Sequence, residues 1–298
     1  MLLKLSKYEL LALRKLSQNS MGAGLLAKNL GVKSSFMARI LGSLTEKALI
    51  STEKTGSAKM VSLSIASHAQ KLKELFLARP QARPEEWLSG HALEILAIMS
   101  GNEGVSRKTL ESDCACSKPT LYKVIKSLQG AGVMNCDKMA CRITDQSIKY
   151  FADAFADNIQ RMEQRQLKGD KVSVRVGKNV VLRTASWQAP KHMALTGMSV
   201  LAETGLKTIK TAYSDYYFNL DGRERELSTE ESFVHALLLT TQASIRPFPE
   251  RPLLAIYMKK GKMDSGKLRE FASKYAVAQQ LEEIIKAISY HEKLGEYE

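Results

Sequence analysis

Four cysteines fall within one short stretch of the chain, Cys114, Cys116, Cys136 and Cys141. Thiolates are soft ligands, so the chemistry that such a cluster could support is metal sensing. Its spacing is C-x-C, nineteen residues, then C-x4-C, which is no zinc-site pattern. The alternative is structural. Cys114 and Cys116 occupy apolar core positions of a repeat described below, and Cys136 and Cys141 face each other across a short hairpin. Free thiols suit a reducing cytoplasm, so the reading adopted is four unbridged cysteines, no metal and no cofactor. The five histidines, His68, His91, His192, His235 and His291, are scattered without an H-x-x-x-H pair. No phosphate-cradling glycine loop, dinucleotide fingerprint or nucleophile elbow is present. The acidic pair Glu230–Glu231 sits at a helix start, where carboxylates suit the dipole. No assembled active site emerges, and the chain is expected not to be an enzyme.

A second set of residues has the chemistry of phosphate and base recognition. Met37, Ile40, Leu41 and Leu44 repeat at helical spacing and form one apolar face. That leaves Lys33, Ser34, Ser35, Phe36, Ala38 and Arg39 for the opposite face. Arg39 could grip a guanine edge with two hydrogen bonds, and the serines suit phosphates or bases. Phe36 either touches a thymine methyl or packs within its own domain. Farther on, Lys54, Ser57 and Lys59 surround Gly56 at a hairpin tip. The formal net charge is +13, and residues 1–80 hold 13 Lys/Arg against 4 Asp/Glu. Such a concentrated positive field favours nucleic acid as partner. No apolar run is long enough for a membrane helix, and the N-terminus is no signal peptide.

The elements that position these residues repeat. Leu30–Ile50 aligns with Cys114–Met134 at a shift of 84 residues. Leu30 falls on Cys114, Val32 on Cys116, Met37 on Leu121, Ile40 on Val124, Leu41 on Ile125, Leu44 on Leu128 and Leu49 on Val133. Each unit reads as a helix, a short helix, a third helix, a hairpin and a closing helix. In the first unit the hairpin strands span Leu49–Lys54 and Lys59–Ser64, with a turn at Thr55–Ala58. In the second, Ser117 caps the third helix, Pro119 lies in its first turn, and the hairpin is clipped short. Its equivalent outward face offers Lys118, Thr120, Tyr122 and Lys123, with little net charge nearby. This order is that of the winged helix-turn-helix. The stretch LLAKNLGVKSSFMARILGSLTEKALI resembles MarR/ArsR-type regulators, whose motif ends in a recognition helix. The charge difference between the two faces makes the first unit the expected principal DNA reader and the second an auxiliary DNA contact or a dimerisation surface.

The fold class expected is therefore α+β. Two tandem winged-helix domains, 1–79 and 86–168, precede an α+β domain over 170–298. The Pro-containing stretch Arg79–Glu86 separates the first two. In the last domain, Val172–Val176 and Val180–Thr184 read as a hairpin, Leu195–Leu206 as a helix and Tyr213–Asn219 as a strand. Thr229–Thr241 follows as a helix, Pro252–Met258 as a strand, and Asp264–Tyr275 and Ala278–His291 as helices. The segment ALTGMSVLAETGL, followed by a Tyr-rich strand, is similar to the C-terminal domain of AbiEi-type antitoxins, which repress their own operons and accompany a toxin. The function expected is a cytoplasmic, homodimeric, sequence-specific transcription regulator that binds double-stranded DNA, of repressor type. Two alternatives stand: an antitoxin that binds a toxin-like protein through residues 170–298, and an origin-binding replication or plasmid-maintenance protein.

Overall fold

Ser6 starts the first helix, because its hydroxyl accepts from the Glu9 amide while the Glu9 carboxylate accepts from the Ser6 amide. This reciprocal cap satisfies two donors that helix geometry leaves open. The helix, α1 (Lys7–Gln18), buries Leu10, Leu13 and Leu16 along one stripe. A short α2 (Ala23–Asn29) follows, and Gly31 turns the chain at φ +62°. The third helix, α3 (Ser34–Glu46), buries Met37, Ile40, Leu41 and Leu44. Strands β2 (Ile50–Thr55) and β3 (Ala58–Leu63) pair antiparallel, and the two-residue β1 (Met21–Gly22) adds to the far edge of β3. Helix α4 (Ser67–Ala78) closes the first repeat.

The structure, a computed structural model, describes residues 3–55, 58–204, 212–242, 254–258 and 263–295. It is an α+β protein in two compact units, Met1–Arg161 and Met162–Glu298.

The order recurs after a short α5 (Pro84–Trp87). Helix α6 (Ala92–Met99) has all eight residues buried. Helices α7 (Arg107–Asp113) and α8 (Lys118–Gly130) then precede the hairpin β4 (Met134–Cys136) and β5 (Cys141–Ile143). The closing helix, α9 (Gln146–Gln164), buries Ile148, Phe151, Phe155 and Ile159. Backbone geometry follows the 84-residue repeat as well. Ala48 and Gly132 take the same place after α3 and α8, with φ of 53° and 69°. Glycine is the usual residue in that left-handed position; the alanine accepts a steric cost there.

Both repeats belong to the first unit. Leu5 bridges to Gly90, Arg14 pairs with Glu85 at 3.6 Å, and Arg79 pairs with the buried Asp145. The His68 ring of α4 meets Phe155 of α9 edge-on, with centroids 5.5 Å apart. The stretch between repeats therefore carries α5 and packs on α1.

In the second unit an antiparallel sheet runs in the order β6-β7-β9-β8. Its strands are β6 (Lys171–Val176), β7 (Asn179–Thr184), β8 (Ala194–Leu195) and β9 (Ser214–Asn219). The helices are α10 (Gly197–Thr204), α11 (Thr229–Gln242), a short α12 over residues 254–258, α13 (Ser265–Lys274) and α14 (Ala278–Gly295). Tyr217 and Val181 join Phe233, Leu237, Leu254 and Tyr275 in one core. The aromatic strand thus fills a core, with all six residues of β9 buried.

Two elements depart from expectation. Of the helix expected over Leu195–Leu206, Leu195 belongs to β8, the helix starts at Gly197, and Gly205 and Leu206 lie outside the described residues. Pro252–Met258 reads as a strand, yet residues 254–258 are helical, and Pro252 and Leu253 lie outside the described residues. Leu254 and Tyr257 are buried while Ile256 is 44% exposed, a spacing of three that only a helix delivers. The run is apolar almost throughout, so periodicity could not separate the two.

Candidate nucleic-acid interface

The outward face of α3 is built by elimination. With its apolar stripe in the core, Lys33, Ser34, Ser35, Ala38 and Arg39 are all exposed. Lys33 holds the N-cap position without a side-chain cap, so the first turn keeps amide donors for an anion. Phe36 is half-buried. It meets Tyr8 of α1 edge-on at 5.3 Å, and the Arg39 guanidinium lies 5.6 Å from its ring. Of the two roles considered for Phe36, packing within the domain is the one with a partner on the page. Among the described residues, no carboxylate pairs with Lys33 or Arg39.

The hairpin adds a second cationic pair. Lys54 lies directly across from Lys59 in the β2–β3 register. Both are exposed. Directly opposed like charges on one sheet face repel, at a cost of about 0.2–1 kcal/mol. A polyanion laid along the hairpin would relieve that repulsion. Ser57, the third hairpin candidate, lies outside the described residues.

A buried ion pair fixes α3 in place. The Lys47 ammonium, just past the end of α3, lies 2.5 Å from Glu9 Oε1, and both side chains are nearly inaccessible. The Ser43 hydroxyl donates to the same oxygen at 2.8 Å, and Glu9 Oε2 accepts from the Ser6 amide at 2.6 Å. One carboxylate thus caps the start of α1 and holds the end of α3. Burial pushes its pKa up, but the bonds from Lys47, Ser6 and Ser43 outweigh that, and the net shift is downward. His68 Nε2 donates to the Lys47 carbonyl at 3.0 Å, and burial holds this imidazole below its ordinary range. None of Glu9, Ser43, Lys47 or His68 stands out as functional in the sequence. The capping-box spacing Ser6-x-x-Glu9 is the signal that could have flagged the first.

The equivalent face of α8 is different. Lys118 pairs with Glu111 at 2.7 Å, and the Tyr122 hydroxyl donates to the same carboxylate at 2.8 Å. The Glu111 bond raises the Lys118 and Tyr122 pKa values, and the Lys118 bond lowers that of Glu111. Thr120 shares a hydroxyl contact with Ser117 at 3.0 Å, and Lys123 is exposed. At the hairpin tip the one carboxylate is occupied as well, while Lys138 is exposed. Asp137 accepts from the Met139 and Ala140 amides and pairs with Arg142 at 2.6 Å. The Ala140 amide, the Arg142 guanidinium and the Met139 amide lower its pKa to about 2.

The cysteines correct the sequence reading twice. Cys136 and Cys141 are joined by a disulfide, so the four are not all unbridged. They are direct partners across β4–β5, and that register brings the sulfurs together. Cys116 is half-buried rather than a core residue. It lies in the bend between α7 and α8, as does its repeat partner Val32, also half-buried, between α2 and α3. The four cysteines do not converge. Instead Cys114 and Cys116 meet His91, which the sequence leaves isolated.

No helix among the described residues is long and apolar enough to cross a membrane. Compared with known proteins, the chain matches no family model, no curated protein and no solved structure.

Proposed function

We propose that the chain is a sequence-specific regulator of transcription that binds double-stranded DNA as a tandem winged-helix protein. In this reading α3 enters the major groove, the β2–β3 hairpin is a wing along the phosphates, and a cytoplasmic homodimer represses its target. The observation that carries it is the contrast between two equivalent faces. On α3 and its hairpin, Lys33, Arg39, Lys54 and Lys59 point to solvent with no carboxylate partner among the described residues. On α8 and its hairpin, Glu111 already pairs with Lys118 and Asp137 with Arg142, leaving Lys123 and Lys138 exposed. Cations already paired with a carboxylate gain little from phosphate, whereas unpaired cations release counterions on binding.

The test is a binding titration of the full chain against its own upstream DNA and a scrambled duplex at two salt concentrations. Arg39→Ala should weaken specific binding by about 1–3 kcal/mol, as loss of a bidentate base contact does. Lys59→Ala should weaken both duplexes alike and lower the salt slope by about one. Lys123→Ala should leave binding unchanged. Equal affinity for both duplexes, or equal loss in Arg39→Ala and Lys123→Ala, would refute the assignment.

A further inference from the structure

We propose that His91, Cys114 and Cys116 form a binding site for a thiophilic divalent cation of zinc's class, independent of the DNA reading above. A ring nitrogen of His91 and the two sulfurs all lie within 4.8 Å of one another, and the sulfurs are 3.3 Å apart. Tetrahedral zinc with two sulfur ligands and one nitrogen ligand sets its donors about 3.5–3.8 Å apart, so the two sulfurs need only move slightly apart. The donors come from three element ends. His91 caps α6, Cys114 caps the end of α7, and Cys116 directly precedes Ser117, the N-cap of α8.

A second observation points the same way. Glu94 is 1% exposed. Its Oε2 lies 2.8 Å from His91 Nδ1, and its Oε1 accepts from the Ala115 amide, between the two cysteines, at 2.7 Å. One buried carboxylate therefore orients both the imidazole and the Cys-x-Cys backbone, the arrangement that supports metal-bound histidines. A proton on Nδ1 for Glu94 leaves the Nε2 lone pair as the donor. Nε2 now contacts the Lys4 ammonium at 2.9 Å. Lys4 is only half-buried, on a long flexible stem, so it is the partner that leaves when the cation arrives.

The step balances without redox change. Two S–H bonds break and their protons pass to solvent, two metal–sulfur bonds form, and one metal–nitrogen bond replaces the Lys4 contact. Two thiolates cancel the divalent charge, and water completes the tetrahedron. The bound cation would pin the α7–α8 turn to the start of α6.

The experiment uses the full chain, stripped with a chelator and held in a phosphine reductant. A Cys136→Ser/Cys141→Ser background removes the other thiols. Zinc is titrated against a chromogenic chelator, and cobalt serves as the spectroscopic probe. One zinc per chain is expected, with thiolate-to-cobalt charge-transfer bands. Cys116→Ser, at a half-exposed position that spares the core, should lose the bands and at least about tenfold in affinity. Glu94→Gln should lose about 10–100-fold while keeping the bands. Circular dichroism confirms that each variant is folded. No stoichiometric uptake by the folded, reduced protein would overturn the proposal, as would uptake unchanged in Cys116→Ser and His91→Ala.

Discussion

Replacing Lys47 with methionine removes one charge from a pair whose side chains are 5% and 6% exposed. Glu9 would remain buried with only the Ser6 amide and the Ser43 hydroxyl as donors. Breaking a buried pair by removing one partner costs about 3–5 kcal/mol, and the two surviving donors put this case near the lower end, about 3 kcal/mol. Glu9→Gln should cost a similar amount, because it strands the ammonium. The double variant Glu9→Gln/Lys47→Met leaves no uncompensated charge and should cost no more than either single change, a coupling of about 3 kcal/mol. The assay is urea unfolding followed by Trp87 fluorescence in a Trp187→Phe background. The chain has two tryptophans, and Trp87 is the one in the first unit. Acidity supplies a check of sign. The Glu9 pKa is lowered in the fold, so its stabilisation is present above the ordinary Glu value and is lost as pH falls through the folded-state value. In Lys47→Met the desolvated carboxylate should titrate above its ordinary value, and that variant should gain stability as pH falls from 7 toward 5. Single changes below about 1 kcal/mol, an additive double variant, or parallel pH profiles would refute the argument.

Three further outcomes follow from the same geometry. Ala48→Gly should stabilise the first unit by about 0.5–1 kcal/mol in denaturant melts, since relief of left-handed strain exceeds the entropy gained by the unfolded chain. Gly197→Ala should destabilise the second unit by about 3 kcal/mol or more, read by Trp187 fluorescence. Its Cβ would lie 2.5 Å from Asp215 Oδ2 at φ +55°, and Asp215 is held by Arg183 at 2.8 Å. Burial, then the charges of Arg225 and Lys274, hold the His235 imidazole well below its ordinary range. The unfolded chain therefore takes up this proton first, and the histidine's contribution to stability should fall by about 1.4 kcal/mol per pH unit below about pH 6.5. His235→Gln should flatten that slope in acid melts of the second unit.

Much of the first unit is legible in its sequence because apolar periodicity and the 84-residue repeat agree along α2 and α3 and their counterparts α7 and α8. The stripe Met37, Ile40, Leu41 and Leu44 marks both the buried face of α3 and, by difference, its outward residues. What the sequence hides is pairing at long range. Glu9 and Lys47 read as ordinary surface charges, and only the fold brings them together. Glu111 neutralises the α8 face from another helix, and His91 gains meaning only beside two cysteines more than twenty positions away. Arg183 and Asp215 in the second unit are hidden for the same reason. They lie opposite each other on β7 and β9, a partnership set by sheet register. Helical and strand patterns alike are silent in an all-apolar run, which explains the misread segment at residues 254–258.

The contacts that fuse the two repeats have a mechanical consequence. Leu5 is tied to Gly90, Arg79 to Asp145 and His68 to Phe155, so α3 and α8 are mounted on one chassis. A flexible tether would let each find its own target. A shared chassis acts as a caliper: the gap and angle between the two helices are properties of the protein, and any ligand engaging both must match them. Selectivity could then reside in spacing as much as in the chemistry of either face, and a change remote from both faces could retune it by altering how the repeats are bolted together.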